Sequence, residues 1–149
     1  MPIEADTTYA LRLFLAAVLG ALIGLEREIH DHPAGMRTHL LVSLGSAGFT
    51  VLSVAGFGPA QVDPSRVAAQ IVTGIGFLGG GAILRSGAHI QGLTTAATIW
   101  VNAAVGMAAG AGEYMMASIA TAITLVVLLL LLPLEQYLER HAQRRGPTE

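Results

Sequence analysis

The chain has 149 residues, 53% hydrophobic and 12% charged, with a formal net charge of -2 and no cysteine. A single domain of this size cannot hide so much apolar surface from water, and its charge balance gives no reason to expect nucleic-acid binding. The missing thiols exclude a disulfide framework, a thiolate metal site and a thiol nucleophile.

The apolar runs have the length of membrane spans, which need about 20 residues each. Residues 1–8 are acidic and lack the basic start of a cleaved leader. The first span covers about 9–25 and sets Ala16, Gly20, Gly24 and Arg27 on one face. At its end, Glu26, Arg27 and Glu28, with Arg37 and His39, read as a charged belt that snorkels to water. The functional alternative is a mouth that binds a cation, a headgroup or a partner. His30, Asp31 and His32 read as a solvated loop beside Pro33 and Gly35 rather than a metal cluster.

The second span, about 37–55, places His39, Ser43, Ser46, Thr50 and Ser53 on one face. Asp63 reads as a helix N-cap followed by Pro64, with Arg66 as its ion-pair partner. The third span, about 67–84, aligns Gln70, Thr73, Gly74, Phe77 and Gly81. Its Gly74-Ile75-Gly76-Phe77-Leu78-Gly79 run imitates a dinucleotide fingerprint, but no strand precedes it and no acid follows at the required distance. A closely packed membrane helix is the physical reading. Gly92 to Thr95 read as a turn and a threonine cap for the fourth span, about 94–109, where Thr95, Thr98, Asn102 and Gly106 share a face and Trp100, in the inner half, reads as packing rather than stacking on a ligand. The fifth span, about 114–132, is apolar all round at 126–132, and Pro133 is expected to stop or kink it.

The pairs Gly20/Gly24, Gly76/Gly80 and Gly106/Gly110, with Gly74, Gly79 and Gly81, predict close helix contacts. Helices one to four should form a tight bundle with helix five on its lipid side. The expected fold is therefore an all-α integral membrane protein of about five transmembrane helices. Arg27, Arg37, Arg85, Arg140, Arg144 and Arg145 fall in segments that share one side of that arrangement, whereas Arg12 and Arg66 do not. Positive charge favours the cytoplasm, which puts the N-terminus outside and the C-terminus inside. The chain then divides into an external segment 1–8, a membrane domain 9–132 and a cytoplasmic tail 133–149.

Four blocks stand in order along the chain: Leu19-Gly20-Ala21-Leu22-Ile23-Gly24-Leu25-Glu26-Arg27-Glu28, Ala34-Gly35-Met36-Arg37-Thr38-His39-Leu40-Leu41-Val42, Asp63-Pro64-Ser65-Arg66-Val67-Ala68-Ala69-Gln70 running into the glycine block, and Gly92-Leu93-Thr94-Thr95-Ala96-Ala97-Thr98-Ile99-Trp100. Together they resemble the signatures of the MgtC/SapB family of bacterial membrane proteins. The resemblance implies an inner-membrane protein linked to magnesium homeostasis, whose best-known member regulates membrane partners including the ATP synthase. It carries the family's motif residues onto Glu26, Arg27, Arg37, Thr38, His39, Asp63, Arg66, Gln70, Gly76, Gly79, Thr94, Thr95 and Trp100. Gly80 stands where the family usually has alanine. The family's best-known members add a soluble C-terminal regulatory domain beyond this region, so regulation through that domain is not expected of a chain ending at Glu149.

Two functions follow as expectations. The first is a membrane-embedded regulator or interaction module for magnesium stress. The second is a channel or carrier for Mg2+ or another divalent cation, using polar residues such as Gln70 and Asn102 and acids at each mouth. Either would work as a homo-oligomer, with a dimer favoured, in the lipid bilayer and with a membrane-protein partner in the first case. No resident cofactor is expected, and Mg2+ enters only as ligand or substrate. An intramembrane enzyme is disfavoured, because no nucleophile and base pair occurs at mid-span.

Overall fold

The computed structural model describes residues 3–56, 63, 65–86 and 89–144. Five helices make up most of it: α1 (Ile3–Ile29), α2 (Met36–Val51), α3 (Ser65–Gly81), α4 (Leu93–Ala111) and α5 (Tyr114–Arg144). Four stretches are long and apolar enough to cross a membrane: Asp6–Ile29, Met36–Ala55, Leu93–Ala111 and Tyr114–Leu131. A π-helical segment, Leu52–Gly56, continues α2 through the end of the second stretch. Helix α3 has only 17 residues, about 26 Å of rise against a hydrocarbon core of about 30 Å. It nevertheless covers nearly the depth of α4. Gly79 lies against Ala96 near the start of α4, and Ala68 lines a groove with Met107 and Ala111 near its end, so the two helices run antiparallel.

Local chemistry explains most helix ends. Helix α1 closes with a Schellman turn, in which His32 N–H donates to Arg27 O at 3.0 Å and Asp31 N–H to Glu28 O at 3.2 Å. Asp31 takes the left-handed position at φ 55°, which Asp tolerates better than most residues. The same turn ends α4, with Gly112 at φ 90°. There Arg12 of α1 donates to the freed Gly110 carbonyl at 3.0 Å and stacks 5.9 Å from the Tyr9 ring, a cation placed at the negative end of a helix.

The tight bundle comprises α1, α2 and α4. An added Cβ at Gly20 would stand 2.6 Å from Ser43 Cβ, one at Gly24 would stand 2.6 Å from Met36 Cα, and one at Gly110 would stand 2.6 Å from Ala47 O. Gly106 sits directly on the Ser43 carbonyl. Backbones can approach this closely only where side chains are missing. Ala16, Leu19, Ile23, Ala47, Val105 and Ala109 fill the core, and α5 closes it with Ala117 and Leu128.

Several expectations are corrected. Helix α3 stands at the edge of the bundle, held by Ile71 and Ile75 against Ile99 and Ala103. A Cβ at Gly74, Gly76, Gly80 or Gly81 meets nothing within 4 Å, and Gly79 is in ordinary contact with Ala96. Gly74, Gly76, Gly80 and Gly81 therefore do not pack helices of this chain together: Ile71, Ile75 and Gly79 face the bundle, and the other four glycines turn to open space. Pro133 does not stop α5, which runs on to Arg144; a proline removes one donor but leaves the rest of the ladder to carry the helix. Helix α1 likewise begins at Ile3, inside the expected external segment. Neither Thr94 nor Thr95 caps α4; left-handed Gly92 does so, with Ala96 N–H donating to its carbonyl at 2.8 Å. Trp100 is 53% exposed within the chain. Residues read as a plain connection form a two-stranded antiparallel ribbon, β1 (Leu84–Ser86) with β2 (His89–Gln91), pairing Arg85 with Ile90.

Candidate functional site

The polar stripes converge where α1, α2 and α4 meet. Helical spacing turns Gly20, Gly24 and Arg27 to one side of α1, His39, Ser43 and Ser46 to one side of α2, and Thr95, Thr98 and Asn102 to one side of α4. All nine residues are buried. The glycine contacts leave no room for water between the helices at this level, so each polar atom must find a protein partner or remain without one.

Glu26 and Arg27 do not snorkel. Arg27 is 3% exposed and Glu26 is 7% exposed, because the close approach at Gly24 folds α2 over this turn of α1. Arg27 Nη1 lies 3.8 Å from Glu26 Oε2, and Nη2 donates to Thr95 Oγ1 at 3.5 Å, both long. Glu26 Oε1 is 3.1 Å from His30 Nδ1. Glu26 Oε2 and Arg27 Nε are buried without a hydrogen bond. Glu28 has a separate task, which sequence reasoning missed. Its Oε2 accepts from Met36 N–H at 2.8 Å, so a carboxylate of α1 caps the positive end of α2.

Deeper in the bundle, His39 and Asn102 are fully buried. Asn102 Nδ2 donates to the His39 carbonyl at 2.5 Å. His39 Nδ1 lies 3.1 Å from Gly35 O. A carbonyl only accepts, so Nδ1 carries the proton and Nε2 presents a lone pair. That Nε2, Asn102 Oδ1 and Ser43 Oγ have no partner. Ser43 and Asn102 Oδ1 both border the space beside Gly20. The centre therefore has more acceptors than donors. Ser43 belongs to it although only the spacing of the second stripe pointed there.

The remaining residues lie elsewhere. Arg37, Thr38 and Thr94 are exposed at the Arg27 end. His32 is held below the usual histidine value by burial and then by the Arg27 guanidinium. Among the described residues no three His, Asp or Glu side chains form a metal-ligating group. Asp63, Arg66 and Gln70 sit at the opposite end and are exposed. Asp63 and Arg66 form no ion pair among the described residues. Asp63 Oδ1 instead accepts from Ser65 N–H at 2.9 Å, and hydrogen bonds from Ser65 hold its carboxyl below the ordinary carboxylate range. A depressed value means that the cap acts above the ordinary range and is lost as pH falls through the value in the folded chain. Acidification should therefore speed hydrogen exchange in the first turn of α3, after correction for intrinsic rates. Asp63→Asn, which keeps an accepting oxygen, should remove that pH dependence; an unchanged dependence in this variant would refute the assignment.

The glycine-locked helices, the inward Glu26-Arg27 turn and the four sequence blocks can be compared with known proteins. The MgtC family pattern matches residues 13–137. This chain belongs to the MgtC family. Protein MgtC of Brucella abortus is 50% identical over 131 residues, covering 88% of this chain and 54% of the relative. The putative magnesium transporter YhiD of Escherichia coli K12 is 47% identical over 126 residues, covering 80% and 59%. Protein MgtC of Salmonella typhimurium LT2 is 46% identical over 123 residues, covering 83% and 52%. The chain thus spans about half the length of these MgtC-family relatives, and no solved structure matches it significantly. Bacterial MgtC relatives and four membrane-capable helices make it a multi-pass protein of the bacterial inner membrane.

Proposed function

We propose that this chain supports magnesium homeostasis as a membrane-embedded interaction module, without catalysis and without a resident cofactor. One contrast carries the reading. The pairs Gly20/Gly24 and Gly106/Gly110 are consumed by contacts inside the chain, whereas Gly76 and Gly80 of α3 face open space beside Phe77, which is 84% exposed. A small-residue pair is what a second membrane helix needs for close approach, so the outward face of α3 is the surface offered to a membrane-protein partner. The name of YhiD, a putative magnesium transporter, supplies the link to magnesium. In this reading the N-terminus lies outside and the C-terminus in the cytoplasm, with α3 crossing as the third of five spans.

Gly76→Leu and Gly80→Leu should leave the thermal midpoint in detergent within a few degrees of the parent, since both side chains enter open space. Both should abolish the support that the parent gives to growth in low magnesium. Wild-type growth support from both variants would sink the proposal.

A second reading, a pathway for Mg2+ or another divalent cation, draws on the name of YhiD, a putative magnesium transporter. Magnesium uptake into proteoliposomes above empty vesicles would favour it. The glycine contacts at Gly20 and Gly106 leave such a path no width within one chain, so it would have to run between copies.

A further inference from the structure

The edge position of α3 leaves an apolar groove beside α2. Leu41, Gly45 and Phe49 form one wall and Gln70, Gly74 and Leu78 the other, around about 510 Å³. Taking each methylene as about the size of a liquid water, about 30 Å³, the space is on the order of one acyl chain. Filling by hydrocarbon is not selective by itself, because the chain leaves surroundings equally apolar. Selectivity has to come from polar groups, and two lie along the groove.

Gln70 is exposed on the groove wall and has no hydrogen-bond partner among the described residues. An amide left against hydrocarbon is costly, so whatever fills the groove should bring it an acceptor. Arg66 is exposed one turn earlier on the same face of α3. Gln70 sits about 7 Å along the axis from Ser65, a depth similar to the polar interface of one leaflet. Guanidinium, then amide, then apolar groove match the order of phosphate, ester and acyl chain in a phospholipid. A second copy related by a two-fold axis along the membrane normal would instead keep Arg66 at the level of its own twin, like charge facing like.

We propose that the α2–α3 groove binds one phospholipid. Its acyl chain lies between Gly45 and Gly74, its ester carbonyl accepts from Gln70, and its phosphate pairs with Arg66. Asp63 borders the headgroup position and weakens the attraction. The groove can be blocked without disturbing the fold, because a Cβ at Gly45 or Gly74 meets nothing within 4 Å.

The test is native mass spectrometry of the delipidated full chain in detergent, titrated with dipalmitoyl phosphatidylglycerol. One lipid per chain should be retained. Gly74→Leu and Gly45→Leu should abolish retention while circular dichroism stays unchanged. Arg66→Gln should weaken it about five-fold, the factor one basic residue contributes at a lipid surface. Asp63→Asn should strengthen it, and Gly80→Leu, outside the groove, should match the parent. Parent-like retention by Gly74→Leu would overturn the site, and so would groove variants that split an oligomer without changing lipid content, which would place a second copy there. Loss with Gly74→Leu but no change with Arg66→Gln would overturn the headgroup assignment.

Discussion

Gly106→Ala should unfold in detergent at a clearly lower temperature than the parent, although alanine is the better helix former. In a helix interior the exchange ordinarily gains roughly 1 kcal/mol. Here the new methyl would stand on the Ser43 carbonyl, with Ser43 C at 2.8 Å and Cα at 2.9 Å. These are backbone atoms of α2 and cannot rotate away, so α2 and α4 must separate. Forced overpacking costs about 1–3 kcal/mol, and separation also strains the 2.5 Å bond from Asn102 to the His39 carbonyl. The net loss should reach about 2 kcal/mol. Gly74→Ala provides the matched comparison. Its methyl meets nothing within 4 Å, so only the propensity gain remains and the midpoint should hold or rise. Equal shifts for the two substitutions would show that the α2–α4 contact is not what the glycine serves.

Arg27→Leu should be the most damaging single change at the charged turn. The guanidinium faces the buried Glu26 carboxylate, and its own side chain is 4% exposed. Removing one member of a buried pair leaves the other charge uncompensated, at about 3–5 kcal/mol. The pair is long at 3.8 Å and each partner has an unbonded atom, so the attraction itself is modest and the desolvated charge dominates. The double variant Glu26→Gln with Arg27→Leu removes both charges and should recover most of the loss. A double-mutant cycle on the detergent unfolding midpoint measures this directly. Additive single effects would mean that the two side chains do not share an environment.

The inward faces of α1, α2 and α4 were legible because period and polarity agree. His39, Ser43 and Ser46, or Thr98, Asn102 and Gly106, would be a poor face to show to lipid, so they had to meet each other. The same logic turned Arg27 inward with Gly20 and Gly24, yet the rule that arginine snorkels argued the opposite. The structure resolves that conflict through the Gly24 contact with Met36. The open face of α3 was not legible. Gly76 and Gly80 look like Gly106 and Gly110 on paper, and spacing carries no information about whether the partner lies in the same chain. The Glu28 cap on α2 was hidden for a similar reason: it depends on a turn that brings Glu28 back to Met36. The ribbon after α3 left one signal, the two-residue Gly87-Ala88 spacing between Ser86 and His89, which suits a tight hairpin.

Because α5 passes Pro133 without a break and runs to Arg144, the segment past the bilayer behaves as a shaft rather than a tether. Each residue inserted into it would advance the far end about 1.5 Å and swing it about 100° around the axis. The compass bearing of Arg144 is therefore geared to the membrane bundle, and length changes in this stretch act as rotations before they act as extensions.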